Sequence, residues 1–224
     1  MDSHCLVLNF KAYNESCGPK GELLAKIAEK VALDMGVPII ICPPIAYAGL
    51  AESLEIPVFG QHVDIAEPGA KTGHITMESL ASLGVKGTLL NHSERKVGHS
   101  AVEWVVGRAK KIGFDTCVCA NDVDEARSLA AFRPTAIAVE PPELIGSGVS
   151  VSTARPEVVE ESVKVIKAVS PQTLALVGAG VSNATDLKKA MELGAEGVLL
   201  ASAYVKAKDP ETWLRETAKV LVEL

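Results

Sequence analysis

Three observations predict an α/β fold closed into a (β/α)8 barrel, with residues 1–224 forming one domain. Short apolar runs alternate with longer amphipathic stretches eight times along the 224 residues, the pattern of a parallel sheet covered by helices. The runs are built from Val, Ile, Leu and Ala, as strands buried on both faces require. No linker, low-complexity segment or break in composition divides the chain. An open doubly wound sheet satisfies the same alternation. Eight similar units in a chain of barrel length, about 200–250 residues, favour closure.

The first strand is read at Cys5–Asn9, followed by a helix over Gly21–Met35. Strands at Pro38–Cys42, Val58–Gln61 and Gly87–Leu90 come next, the last leading into a helix over Val102–Ile112. Thr116–Cys119 precedes a helix over Val123–Ala131, and Thr135–Val139 one over Glu157–Val169. Leu174–Gly178 leads to a helix over Asn183–Leu193, and Gly197–Leu200 to a last one near Pro210–Val222. Ser152 or Thr153 is expected to cap the helix that carries Pro156 in its first turn. Ser182 or Asn183 is expected to cap the next, with Asp186 at its positive end. Gly113 and Gly194 read as C-terminal stops.

Hydrophobic residues make up 48% of the chain and aromatics only 4%, so the core must be aliphatic. The net charge is -6, without a run of Lys and Arg, which argues against a nucleic-acid surface or a polybasic membrane patch. A locally positive pocket for a small anion is compatible with it. The five cysteines lack a CxxC spacing and read as reduced, mostly buried thiols. Cys117 and Cys119, two apart, are expected on opposite faces of a strand. No apolar run reaches membrane-spanning length and Met1–Lys11 is too short and polar for a signal peptide; a cytoplasmic protein is expected.

In such a barrel chemistry sits where strands end and helices have not begun. Those positions hold Asn9-Phe10-Lys11 after the first strand and Asn91-His92-Ser93-Glu94-Arg95 after the fourth. The sixth is followed by Glu140 to Gly148, the seventh by Gly178-Ala179-Gly180, the eighth by Ala201-Ser202-Ala203. Taken alone, Lys11 is most often a solvated loop residue and His92 an ordinary hydrogen-bonded histidine. His4, His62, His74 and His99 have no partner at metal-ligand spacing. Glu140 stands out because it directly follows the apolar run Ala136–Val139 and two prolines fix the backbone after it. A carboxylate at a buried strand end is costly unless it has a task or a partner. The glycine-rich and small-residue segments suit a phosphate, which backbone N–H groups reach only where side chains are small. Gly178-Ala179-Gly180 begins a GxGxxG-like pattern, but Asn183 replaces the third glycine and no acidic ribose partner follows, so a dinucleotide site is not expected.

Together these segments resemble the triosephosphate isomerase family. Asn9-x-Lys11 is similar to its first-strand motif, His92-Ser93-Glu94-Arg95 to its His-Ser-Glu-Arg motif, and Glu140-Pro141 to the opening of its mobile loop, which closes at Ile145-Gly146-Ser147-Gly148. Gly69-Ala70-Lys71-Thr72-Gly73 resembles the third-loop tip that reaches into a neighbouring subunit. The chain departs from the common pattern at Asn91, where glycine is usual, and at Pro142-Glu143-Leu144, which lacks the usual Val-Trp-Ala. Ala179-Gly180 stands for Gly-Ser, and Ala201-Ser202 for a Gly-Gly pair. These replacements and the short segments after strands four and five look like the compact archaeal branch.

The resemblance implies an isomerase of glycolysis and gluconeogenesis that interconverts glyceraldehyde 3-phosphate and dihydroxyacetone phosphate through an enediolate, without metal or other cofactor. As known for the family, Glu140 would be the base and His92 a neutral electrophile. Lys11 and Asn9 would contact the substrate, and Glu94 would orient Lys11 or Asn9. Backbone amides of Ile145, Gly146, Ser147, Gly180, Ala201 and Ser202 would hold the phosphate, and Pro141–Gly148 would close as a lid. A homo-oligomer is implied, a tetramer favoured over a dimer, and the long third loop (residues 62–75) suits an interface. The rivals are another phosphosugar barrel, such as an epimerase or synthase, and a non-catalytic sugar-phosphate sensor or scaffold.

Overall fold

The computed structural model describes residues 1–144 and 150–223. Its strands are β1 (Cys5–Asn9), β2 (Ile39–Cys42), β3 (Phe59–Gly60), β4 (Gly87–Leu90), β5 (Asp115–Ala120), β6 (Ala136–Val139), β7 (Leu174–Val177) and β8 (Gly197–Leu200). All the pairings are parallel, and β1 lies between β2 and β8, joining the first strand to the last. Consecutive strands pair from β3 through to β8. The remaining seam, between β2 and β3, is narrow: Ile41 and Val58 form a single bridge, and the Ile41 N–H donates to Pro57 O at 3.1 Å. The sheet therefore closes, and the open-sheet alternative is set aside.

Closure follows from two apolar faces on each strand. Along β1 the inward Cys5 and Val7 alternate with the outward Leu6 and Leu8, and all four are fully buried. Inside the barrel, Ala136 and Ala138 of β6 leave room for Phe59, Leu89, Leu176 and Leu199, a mix of small and large side chains that fills the space. Cys117 and Cys119 both belong to this inner set, with Cys5 and Cys42. The expectation of opposite faces is corrected: residues two apart on a strand share a face. All five cysteines are free thiols, and Cys17 is exposed.

Outside the strands lie α1 (Gly18–Met35), α2 (Met77–Ser82), α3 (His99–Ile112), α4 (Val123–Ala130), α5 (Val151–Ala154), α6 (Pro156–Val169), α7 (Ala184–Glu192), α8 (Ser202–Val205) and α9 (Pro210–Val222). The second crossover carries only 3-10 turns over Ile45–Glu52. Asn183 caps α7, its Oδ1 accepting from the Asp186 N–H at 3.0 Å. Gly113 ends α3 at φ 68°, in the left-handed region open to glycine. The expected cap of the sixth helix is corrected. Ser152 and Thr153 lie within α5, and α6 starts after Arg155 with no side-chain cap, Pro156 setting its first turn. None of the described helices is long and apolar enough to cross a membrane.

Candidate active site

The C-terminal ends of β1, β4, β6, β7 and β8 converge on a cavity of about 180 Å³. Asn9, Lys11, His92 and Glu140 line one side; Gly180, Ala201 and Ser202 line the other. The sequence-predicted residues that fall among the described ones are thus brought together. Ile145, Gly146 and Ser147, and with them most of the expected lid, lie outside the described residues.

Each polar side chain is held by its neighbours. Asn9 ends β1, 5% exposed, and its Oδ1 accepts from the Lys11 N–H at 3.0 Å. That bond accompanies a left-handed Lys11 at φ 48°, an uncommon conformation for a side chain of this size. Gln61 fixes the same turn, its Nε2 donating to Lys11 O at 3.0 Å and to Cys42 O at 2.9 Å. Lys11 Nζ then meets Glu94 Oε1 at 2.7 Å. Glu94 therefore orients Lys11 rather than Asn9.

His92 follows β4 and opens the 3-10 turn Ser93–Arg95. Its Nδ1 accepts from the Glu94 N–H at 3.1 Å. An accepting Nδ1 carries no hydrogen, so the ring is the neutral tautomer with its hydrogen on Nε2. That Nε2 lies 3.6 Å from Glu140 Oε2, close neighbours rather than a bonded pair.

Glu140 is 6% exposed, and its Oε2 has no hydrogen-bond partner among the described residues. Burial pushes its carboxyl above the ordinary range; His92, the Cys119 thiol, Lys11 and the Ala179 amide pull the other way. A buried carboxyl with raised basicity beside an imidazole N–H suits proton exchange with a molecule bound in the cavity that both line. Gly178 makes this placement possible: a Cβ there would overlap the Glu140 carboxyl.

The other side of the cavity is backbone and small side chains. Ala179 and Gly180 turn through left-handed φ values of 60° and 74°. The rings of Tyr204 of α8 and Trp213 of α9 stand 6.1 Å apart between centroids. Trp213 Nε1 donates to Ser182 O at 3.1 Å, and the Tyr204 hydroxyl donates to Leu24 O at 2.6 Å. Lys206 Nζ stands 4.1 Å from the ring centroid of Tyr13, which lines the cavity.

The sequence does not single out Gln61, Cys119 or the Tyr204–Trp213 pair as site residues, and it reads Gly178 only as part of a phosphate segment. The only signal for Gln61 was its position at a strand end; the others act through packing that appears once the ring is closed. Among the described residues no group of three metal-ligating side chains occurs.

A parallel barrel with a buried carboxyl beside an imidazole, opposite small residues at the strand ends, defines a class, the barrel enzymes of small anionic substrates. The triosephosphate isomerase family model matches residues 4–218. The triosephosphate isomerase of Methanocaldococcus jannaschii is 46% identical over 217 residues, covering 96% of this chain and 99% of the relative. That of Caldivirga maquilingensis is 45% identical, covering 97% of each chain. The Methanobrevibacter smithii enzyme is 40% identical, covering 99% of this chain and 100% of its own. The chain belongs to the triosephosphate isomerase family, among its archaeal-type members.

Proposed function

We propose that the protein interconverts glyceraldehyde 3-phosphate and dihydroxyacetone phosphate, the step its family serves in glycolysis and gluconeogenesis. The observation that carries this reading is the buried Glu140 carboxyl, whose Oε2 has no hydrogen-bond partner among the described residues and lies 3.6 Å from His92 Nε2. In this reading Glu140 takes the proton from the carbon beside the carbonyl. The C–H electron pair forms a C=C bond, the carbonyl becomes an enediolate oxygen, and Glu140 returns the proton to the neighbouring carbon. His92 donates its Nε2 proton to the developing oxyanion and takes up the proton of the neighbouring hydroxyl, so that the second oxygen becomes the new carbonyl as Glu140 returns its proton. Lys11, steered by Glu94, adds positive charge, and Asn9 a hydrogen bond.

The phosphate lies against Gly180, Ala201 and Ser202; the family resemblance adds the backbone amides of Ile145, Gly146 and Ser147, which lie outside the described residues. No metal or cofactor enters this chemistry. The exposed third-loop residues Glu67–His74 meet another copy, in a tetramer in preference to a dimer, and the enzyme works in the cytoplasm.

Assay of the purified protein with glyceraldehyde 3-phosphate tests the reading: conversion to dihydroxyacetone phosphate is expected. Phosphoglycolate, which mimics the enediolate, should bind more tightly than substrate. A protein that bound the two alike and left the triose unchanged would be the sensor or scaffold instead.

A further inference from the structure

We infer that Asn91 is a positioning residue for His92, clamping the turn that aims the imidazole; the inference rests on the reading of His92 given above. Asn91 directly follows β4, is 1% exposed and adopts φ 59°. Glycine takes that conformation freely, whereas asparagine takes it at a modest steric cost. What asparagine adds is a side chain whose bonds reach three other parts of the molecule. Its Nδ2 donates to Cys119 O at the end of β5 and to Glu125 Oε1 of α4, each at 3.0 Å. Its Oδ1 accepts from the Val97 N–H at 3.2 Å. Two acceptors on one side and a donor on the other leave one orientation of the amide.

Glu125 continues the clamp. It sits in the first turn of α4, where the Asp122 cap accepts its N–H at 2.8 Å. Its Oε2 accepts from the Asn121 N–H at 2.7 Å, and both its oxygens meet Lys96 Nζ at 2.8 Å. Asn91 and Lys96–Val97 therefore bracket His92–Arg95 from both ends and tie the turn to β5 and α4. The bracketed turn contains the Glu94 N–H that sets the His92 tautomer. It also contains the Glu94 carboxylate that steers Lys11. Asn91 does not line the cavity, so its influence on the reaction passes through His92 and Glu94. Loosening the turn swings the imidazole without altering the cradle for the substrate's anionic end.

The test uses Asn91→Gly, which keeps the backbone conformation and removes the clamp, and Glu125→Gln, which weakens it from α4. Misplacing a catalytic group by a fraction of an ångström predicts a kcat about tenfold lower for Asn91→Gly, with KM within about twofold of wild type. Glu125→Gln should lose about threefold in kcat, and the double variant should be no worse than Asn91→Gly, because both break one network. The His92 Nε2–H resonance of the phosphoglycolate complex should shift in both single variants. His92→Gln is the control, with a loss of order a hundredfold expected for an oxyanion donor. If His92→Gln keeps full turnover, the reading of His92 falls and takes this inference with it. If His92→Gln is impaired while folded Asn91→Gly and Glu125→Gln keep wild-type kcat and resonance, losing thermal stability alone, Asn91 is a structural residue and the inference is overturned. Should Asn91→Gly fail to fold, Glu125→Gln decides by the same criteria.

Discussion

One end of the cavity is built from side chains and the other from backbone. Asn9, Lys11, His92 and Glu140 present functional groups from strand ends, each locked by hydrogen bonds or burial. Gly180, Ala201 and Ser202 present little beyond their main chain, and Trp213 holds the loop after β7 through Ser182 O. Proton transfer needs particular atoms at particular places, whereas binding an anion needs amides and room. Substitutions at the two ends should therefore separate kinetically, the first in kcat and the second in KM.

The largest effect is expected at Glu140. Replacing it by Gln removes the base while keeping shape, and kcat should fall by about a thousandfold or more with KM little changed. Gly178→Ala comes next. The added methyl pushes the carboxyl aside, and a displaced base should cost of order a hundredfold in kcat. A loss confined to KM would assign Gly178 to the phosphate end instead and blur the comparison. Gly180→Ala probes that end directly: its φ of 74° strains any side chain, and a several-fold rise in KM with kcat nearly intact is expected.

The smallest effect is on stability, and it has a definite sign. Burial raises the Glu140 carboxyl above its ordinary range, so the folded state resists ionisation that the unfolded chain accepts near pH 4. Below that pH both states are protonated and the residue costs nothing. As pH rises toward the folded value the unfolded chain gains, and stability falls. Glu140→Gln should thus raise Tm by a few degrees at pH 7.5 and leave it unchanged near pH 4. Equal Tm values at both pH values would mean that the carboxyl is not held against its ionisation.

The same division explains what was legible in the sequence. β1, β4, β8 and α9 follow the expected boundaries because apolar runs bounded by Gly, Pro and polar residues leave little choice. Glu140 was visible as a carboxylate after an uninterrupted apolar run, and His92 and Lys11 gained weight only when set beside it. The choice between Lys11 and Asn9 as the partner of Glu94 is settled only by the fold, since both lie within two residues on one turn. Gly178 looked like one more glycine of a phosphate loop, yet its lost side chain serves Glu140. Asn91 stood out as a departure from the family pattern, but its three bonds span residues 91–125, beyond any local reading. Cys117 and Cys119 share the inner layer of the barrel, as the two-residue period of a strand requires and contrary to the expectation of opposite faces.

Isomerisation in heavy water tests the central claim, that Glu140 moves the proton, most directly. Wild type should convert the triose phosphate and place solvent deuterium on the carbon that receives the proton, because a carboxyl proton exchanges with solvent during the enediolate's lifetime. Glu140→Gln should bind phosphoglycolate yet lose both conversion and label incorporation by about a thousandfold. A folded Glu140→Gln variant that converts and labels at the wild-type rate would contradict the account.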